Sequence, residues 1–276
     1  MKQKTNDHTP HASRVKKNID FTDKLHNEKT GLKGFDALFH KGVPSGSSII
    51  VEGGPGSGKT TFALQLLYEA VSRGKKALYM SFEEPEYRLR HHMKQFGWDP
   101  EKFEKSGLLR IKRFNALDVA RSVEALLSEA KHELLIEINP VLIPEDFKPD
   151  IICLDSLTAI SSAFSGEKSR FRIYMEQLFR YLESHHINSY LIREVPHPTH
   201  TGTAYSHSDE AVSFLSDGII AVYNVFFEHG KRGRALEILK MRGDDIKRKI
   251  VELEIVHKKG VIIRPDKMLK GNYKLT

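Results

Sequence analysis

The chain has 276 residues, 39% of them hydrophobic and 29% charged, with a formal net charge of +7 and a single cysteine, Cys153. That length and apolar content suit one large α/β domain or two small ones around a substantial core. One cysteine excludes an internal disulfide and a cysteine-based zinc site, and no apolar run approaches the roughly 18 residues of a spanning helix.

The chain starts with MKQKTNDHTPHASRVKKNID, which lacks the apolar centre of a signal peptide, so a cytoplasmic protein without membrane contact is expected. Residues 1–33 carry 8 Lys/Arg against 4 Asp/Glu and residues 258–276 carry 6 against 1, leaving 29 against 31 between them. The basic character therefore lies at the two ends, the pattern of solvated tails rather than of a nucleic-acid surface. Residues 1–25 read as a disordered tail, 26–265 as the folded domain and 266–276 as a basic C-terminal tail.

Folding is expected to begin near TGLKGFDALF. From there apolar runs alternate with helix-length amphipathic segments: SSIIVEG, TTFALQLLYEAVSRG, KALYMSFEE, then PDIICLDSL, YMEQLFRYLESHHI, NSYLIRE and DGIIAVYNV. That alternation predicts a mainly parallel sheet with helices on both faces. DGIIAVYNVFFE, RALEILKMR and KIVELEIVHKKGVIIRP then read as antiparallel strands extending one edge.

The strongest chemical signal is SSIIVEGGPGSGKTTFALQLL. Gly53, Gly58, Lys59 and Thr60 satisfy G-x-x-x-x-G-K-[ST], with a strand before and an amphipathic helix after. The segment Gly53, Gly54, Pro55, Gly56, Ser57, Gly58 can curl so that backbone N–H groups face phosphate oxygens, at the positive end of the following helix. Lys59 adds a full charge for the β- and γ-phosphates. Thr60 offers a hydroxyl to Mg²⁺, and Thr61 a second one nearby. Asp155, after the apolar run Ile151 to Leu154, is the candidate metal-side carboxylate at a neighbouring strand tip. Glu83 and Glu84 end a further strand before Pro85; were that strand beside the P-loop strand, one of them could reach the γ-phosphate and act on water.

TGLKGFDALFHKGVPSGSSIIVEGGPGSGKTTFALQLLYEA, YMSFEEP, QFGWDPEKFEKSGLLRI, ICLDSL, FLSDGIIAV and LEILKMRG, in this order, resemble the KaiC-like branch of the RecA superfamily over about residues 29–264. The resemblance implies a RecA-like P-loop ATPase that uses ATP or ADP with Mg²⁺ and forms a homo-oligomeric ring, usually hexameric, with nucleotide at the subunit boundary. It implies that Gly53 to Thr61 bind nucleotide, that Glu83 and Glu84 are the catalytic carboxylates and Asp155 the Walker B acid. It also implies that Lys240 and Arg242 act on the neighbouring subunit's γ-phosphate, with Arg234 a weaker interface candidate. The bland alternative for that pair is a cross-strand salt bridge to Glu252 or Glu254.

The chain departs from the family in instructive places. It has one such domain where KaiC has two. AVSFLSDG keeps Ser213 but has Phe214 where the autokinase half of KaiC has Thr, so autophosphorylation at Ser213 or Ser216 is an alternative reading only. YLIRE leaves open whether Arg193 or Glu194 senses the γ-phosphate. A RecA-type recombination or repair paralogue would need cations after that strand to meet DNA. Val195 to Gly230 contains no Lys or Arg, so nucleic acid is not expected as a partner. His197, His200 and His207 lie in the same stretch without metal-ligand spacing. A third alternative is a nucleotide-binding ring scaffold with little turnover.

Overall fold

A computed structural model describes residues 26–129, 143–164, 168–195, 212–228 and 230–276. A two-stranded antiparallel sheet, β1 (Asn27–Glu28) with β2 (Val43–Pro44), brackets the short helix α1 (Lys33–Asp36). The main sheet then alternates with helices. β3 (Ser48–Gly53) leads into α2 (Lys59–Ser72), β4 (Ala77–Ser81) into α3 (Glu86–Gln95) and α4 (Pro100–Lys105), and β5 (Leu109–Arg113) into α5 (Ala116–Glu129). After β6 (Ile151–Asp155) come α6 (Leu157–Ala163), α7 (Lys168–Ser184) and β7 (Asn188–Glu194).

Four long or short strands close the chain: β8 (Gly218–Phe227), β9 (Arg232–Met241), β10 (Val251–Val256) and β11 (Gly260–Met268), followed by β12 (Tyr273–Leu275). The spatial order is β11-β10-β9-β8-β3-β7-β6-β4-β5, with β12 pairing β8 beyond the end of β3. β3, β4, β5, β6, β7 and the start of β8 run parallel; β8 to β11 are antiparallel. The expected α/β architecture and its antiparallel edge are both present.

Every residue of β3, β4 and β6 is buried, as expected of parallel strands covered on both faces. Ile49 and Val51 face a core with α1, α2 and α3, through Phe35, Phe62, Leu66 and Leu89. Ile50, Leu78 and Leu154 face the opposite core with α5, α6 and α7, through Val123, Ile160 and Leu178. The helix starts follow local chemistry. Asp99 caps α4 by accepting from the Lys102 amide at 3.1 Å with Pro100 in the first turn, and Ser156 caps α6 through the Ala159 amide at 3.3 Å.

Residues 266–276, expected as a tail, instead contribute the end of β11 and the whole of β12. The reason is the space β3 leaves. β3 stops pairing with β8 at Ala221, and Tyr273–Leu275 take up Phe227–Val225 further along the same edge. Residues 1–25 and the histidines at 197, 200 and 207 lie outside the described residues.

Candidate nucleotide site

β3 ends at Gly53, and the loop through Gly54–Gly58 delivers the chain to α2. Two glycines are required here on geometric grounds. A Cβ on Gly53 would lie 2.1 Å from the Val222 carbonyl oxygen, and Gly58 has φ 105° with Ile255 Cδ1 2.6 Å from where a Cβ would stand. Gly58 heads α2 with no side-chain cap, so the first-turn N–H groups are left for an anion. Ser57 is fully buried, and its hydroxyl has no protein partner. A phosphate oxygen satisfies an orphan donor of this kind.

Lys59 is 6% exposed. Its Nζ donates to the Gly54 carbonyl at 3.0 Å and lies 3.8 Å from a carboxylate oxygen of Glu194. Burial lowers the pKa of this ammonium, while Glu194, Asp155 and Glu83 pull it back up. Thr60 Oγ1 donates to Asp155 Oδ2 at 3.0 Å, and Tyr79 Oη donates to the same oxygen at 2.6 Å. Burial raises the Asp155 carboxyl above the usual range, the two hydroxyls oppose that, and Glu83 adds to it. Thr61, half-buried, continues the first turn.

Glu83 and Glu84 part company. Ser156, while capping α6, donates its hydroxyl to Glu83 Oε1 at 2.6 Å, which ties Glu83 to the residue after Asp155. Glu84 turns the other way, 3.8 Å from His92 Nδ1. The strand order corrects two expectations on the way. β4 is not beside β3, because β7 and β6 intervene, and β6 is separated from β3 by β7. β6 and β4 pair directly, with Ser81 opposite Asp155, which brings Glu83 to Ser156, and the Thr60 hydroxyl then joins Asp155 to the P-loop across the place of β7.

The donor set is a Thr hydroxyl and two carboxylates, all hard oxygens, which suits Mg²⁺. No group of three or more His, Cys, Asp or Glu among the described residues forms a metal cage of its own. A cation here would draw further ligands from phosphate and water, the usual habit of Mg²⁺. With the orphan Ser57 hydroxyl and the uncapped α2, these residues fit a magnesium nucleotide.

Lys240 and Arg242 are elsewhere. A bulge leaves Leu239 as the extra residue, with Ile219 opposite Lys240 and Ile220 opposite Ile238. This puts Lys240 on the α7 side of the sheet, the side of Ile219. Its Nζ donates to the carbonyls of Ser213 at 3.0 Å and of Ser216, and Arg242 Nη2 donates to that of Phe214 at 2.8 Å. Both cations therefore hold the end of a helical turn at 212–215. Arg242 also lies 3.5 Å from Asp217. The cross-strand alternative is overturned by register: Glu252 stands opposite Ala235, and Glu254 is bound by Arg264 at 2.8 Å.

The remaining candidates also find places. Arg234, expected at an interface, donates to the Gly56 carbonyl of its own loop at 3.2 Å, and Asn224 donates to that of Pro55 at 3.1 Å. Beside them an open groove of about 330 Å³ is lined by Pro55, Gly56, Asn224, Phe226, Arg232 and Arg234. Glu194 points at Lys59, whereas Arg193 is buried against Glu52 and donates to Ser213 Oγ at 2.7 Å. Ser216 is fully buried. Sequence reasoning missed Tyr79 and Glu52. A tyrosine inside a fully apolar strand was the available signal, because a buried phenol needs a hydrogen-bond partner.

Comparison with known proteins agrees with this geometry. The profile of the family described as "ATPase: KaiC" matches residues 28–268. The chain is 30% identical over 251 residues to circadian clock protein KaiC3 of Synechocystis, covering 88% of this chain but only 46% of that relative. It is 29% identical to a UPF0273 protein of Pyrococcus furiosus, covering 88% and 95% of the two. The solved structure of a KaiC-like protein from Pyrococcus horikoshii superposes with a TM-score of 0.66 at 26% identity, covering 87% of this chain and 99% of that one. With a phosphate loop, a RecA-like sheet and a family match across almost all the described residues, the chain belongs to the KaiC ATPase family.

Proposed function

We propose that the protein is a magnesium-dependent ATP hydrolase that assembles into a ring, in which Lys240 and Arg242 complete the neighbouring subunit's site. The observation that carries this reading is the register of β9. Lys240 lies opposite Ile219, which pairs with Ile50, three residues before the P-loop begins at Gly53. At about 3.3 Å per residue, Lys240 sits roughly 10 Å back toward the amino end of β3 on the face away from α2, and Arg242, level with Asp217, lies further back still. Their own P-loop is out of line, and beyond holding the 212–215 turn the role assigned to them is to meet another copy's phosphate.

Within one subunit, Lys59 and the α2 amides hold the phosphates, and Thr60 and Asp155 hold the cation. Mg²⁺ held there by Thr60 and Asp155 would supply positive charge to offset that developing on the phosphates. Glu83, anchored by Ser156, takes the proton of the attacking water as its oxygen bonds to the γ-phosphorus and the bond to the β-phosphate oxygen breaks. Glu194, beside Lys59 at the tip of β7, is placed to register whether the γ-phosphate is present. A regulatory or signalling role accords with a family that includes a clock protein, although this chain spans only part of that relative.

The test is mass and turnover together. The particle mass is expected to rise to that of a closed ring, a hexamer in the simplest case, with Mg-ATP. Mixing Lys59→Ala with Lys240→Ala subunits is expected to raise hydrolysis well above that of either variant alone. No recovery in rings of proven mixed composition would remove the shared site, and negligible turnover by the unaltered protein would leave a nucleotide-binding scaffold.

A further inference from the structure

The geometry points to Arg193 as a positioning residue that ties the P-loop strand to the platform holding Lys240 and Arg242. This rests on the reading that those two cations serve a neighbouring site. Glu52 and Arg193 are register partners on β3 and β7, each one residue before the strand tip. Glu52 is wholly buried and Arg193 is 3% exposed, and they form an ion pair. One residue further along, Gly53 opens the P-loop and Glu194 faces Lys59.

Arg193 also reaches outward. Its Nη1 donates to Ser213 Oγ at 2.7 Å, and the Ser213 carbonyl accepts from Lys240 Nζ at 3.0 Å and from Ser216 Oγ at 3.0 Å. The next carbonyl in the turn, that of Phe214, accepts from Arg242. One side chain thus links the base of the phosphate loop to the residue whose main chain seats the first cation. A shift of the β3 and β7 tips on nucleotide binding would be carried to the 212–215 turn, because a buried ion pair with a fixed guanidinium fork tolerates little displacement. A purely structural pair would bury its charges at a cost in stability and leave turnover alone. A coupling pair changes the rate through Lys240 without changing nucleotide affinity.

A double-mutant cycle on the full chain separates the two. The variants are Ser213→Ala, the neutral pair Glu52→Gln with Arg193→Gln, Lys240→Ala, and each of the first two combined with Lys240→Ala. Ser213→Ala removes the outward link and leaves the buried pair intact, so it reports even where the pair variant does not fold. It is expected to lower kcat about tenfold, the scale of one hydrogen bond to a charged group, with KM for ATP within about twofold. The combined variants are expected to be no slower than Lys240→Ala alone. Unchanged kcat in Ser213→Ala, or losses that multiply with Lys240→Ala, would overturn the positioning role while leaving the shared site standing. An unchanged rate in Lys240→Ala itself would instead remove the shared site and this role with it.

Discussion

The carboxyl end of β3 and the strand edge that carries Lys240 and Arg242 hold their charges in different ways. Around the P-loop, the carboxylates are set by side chains, Asp155 by Thr60 and Tyr79 and Glu83 by Ser156, and Lys59 sits between the Gly54 carbonyl and Glu194. At the edge, Lys240 and Arg242 are set mainly by main-chain carbonyls of the 213–216 turn. Carbonyl dipoles fix a cation's position without cancelling its charge. The first region is therefore built to close on a ligand within one chain, and the second to present charge outward, with Asp217 the carboxylate beside Arg242. Burial and the neighbouring Arg242 both lower the Lys240 pKa, with Asp217 opposing them, so that pairing with an anion is all the more favourable there.

The sharpest way to break this comparison is to remove one cation from each region. Lys59→Ala is expected to abolish nucleotide binding and hydrolysis together. Arg242→Ala should leave ATP affinity in place and reduce kcat by about 10³-fold, the lower end of what a transferred arginine contributes. Equilibrium binding of a fluorescent ATP analogue beside steady-state turnover distinguishes them; equal loss of affinity in both would merge the two regions into one site.

Next in size is the split between two adjacent carboxylates. Glu83→Gln should cost about 10²-fold in kcat, whereas Glu84→Gln, which alters a contact with His92, should cost under about threefold. A reversed order would mean that the Ser156 contact is only structural.

Tyr79→Phe tests how far the P-loop region depends on side-chain support. Losing the phenol leaves Asp155 buried with fewer donors. The Mg²⁺ concentration for half-maximal turnover is expected to rise about tenfold, as when an outer partner of a metal-binding residue is removed. A Mg²⁺ titration of the hydrolysis rate reads this directly.

The smallest effect is on stability. Because burial raises the Asp155 carboxyl in the folded state, the native form holds the proton more tightly than the unfolded form. Stability then falls as pH rises through the interval between the ordinary aspartate value of about 3.9 and the raised one. Asp155→Asn removes that penalty. Without Mg²⁺ or nucleotide it should melt at a higher temperature than the parent near neutrality, and the gain should shrink on acidification toward the ordinary value. Thermal melts at the two pH values check both halves of the statement.

These contrasts also show what could be read from residues alone. The α/β alternation, the antiparallel edge and the P-loop were all legible, because hydrophobic period and glycine placement are local properties. Strand order was not. Placing β4 beside β3 needed β7 and β6 to be elsewhere, and nothing in ALYMSFEEP says which strand pairs with it. The same gap hid Tyr79, which is 76 residues from Asp155 in sequence but pairs with Cys153, two residues before it, on the neighbouring strand. Arg193 and Glu52 sit 141 residues apart and became a pair only through register. Bulges are equally silent: LEILKMRG reads as a regular strand, and the extra residue at Leu239 is what turns Lys240 toward the 213–216 carbonyls.

β12 has a practical consequence for anyone handling the protein. It carries Thr276 to the mouth of the P-loop, where the Thr276 carbonyl carbon lies 3.7 Å from the position a Cβ on Gly54 would take, and the Thr276 carbonyl accepts from the Asn224 amide at 2.8 Å. Anything joined after Thr276, a purification tag or a fused fluorophore included, leaves the sheet beside the phosphate loop and next to the groove at Pro55 and Arg234. A fluorophore attached at Thr276 is expected to change its emission when the loop is filled, which makes that position a place to read occupancy directly.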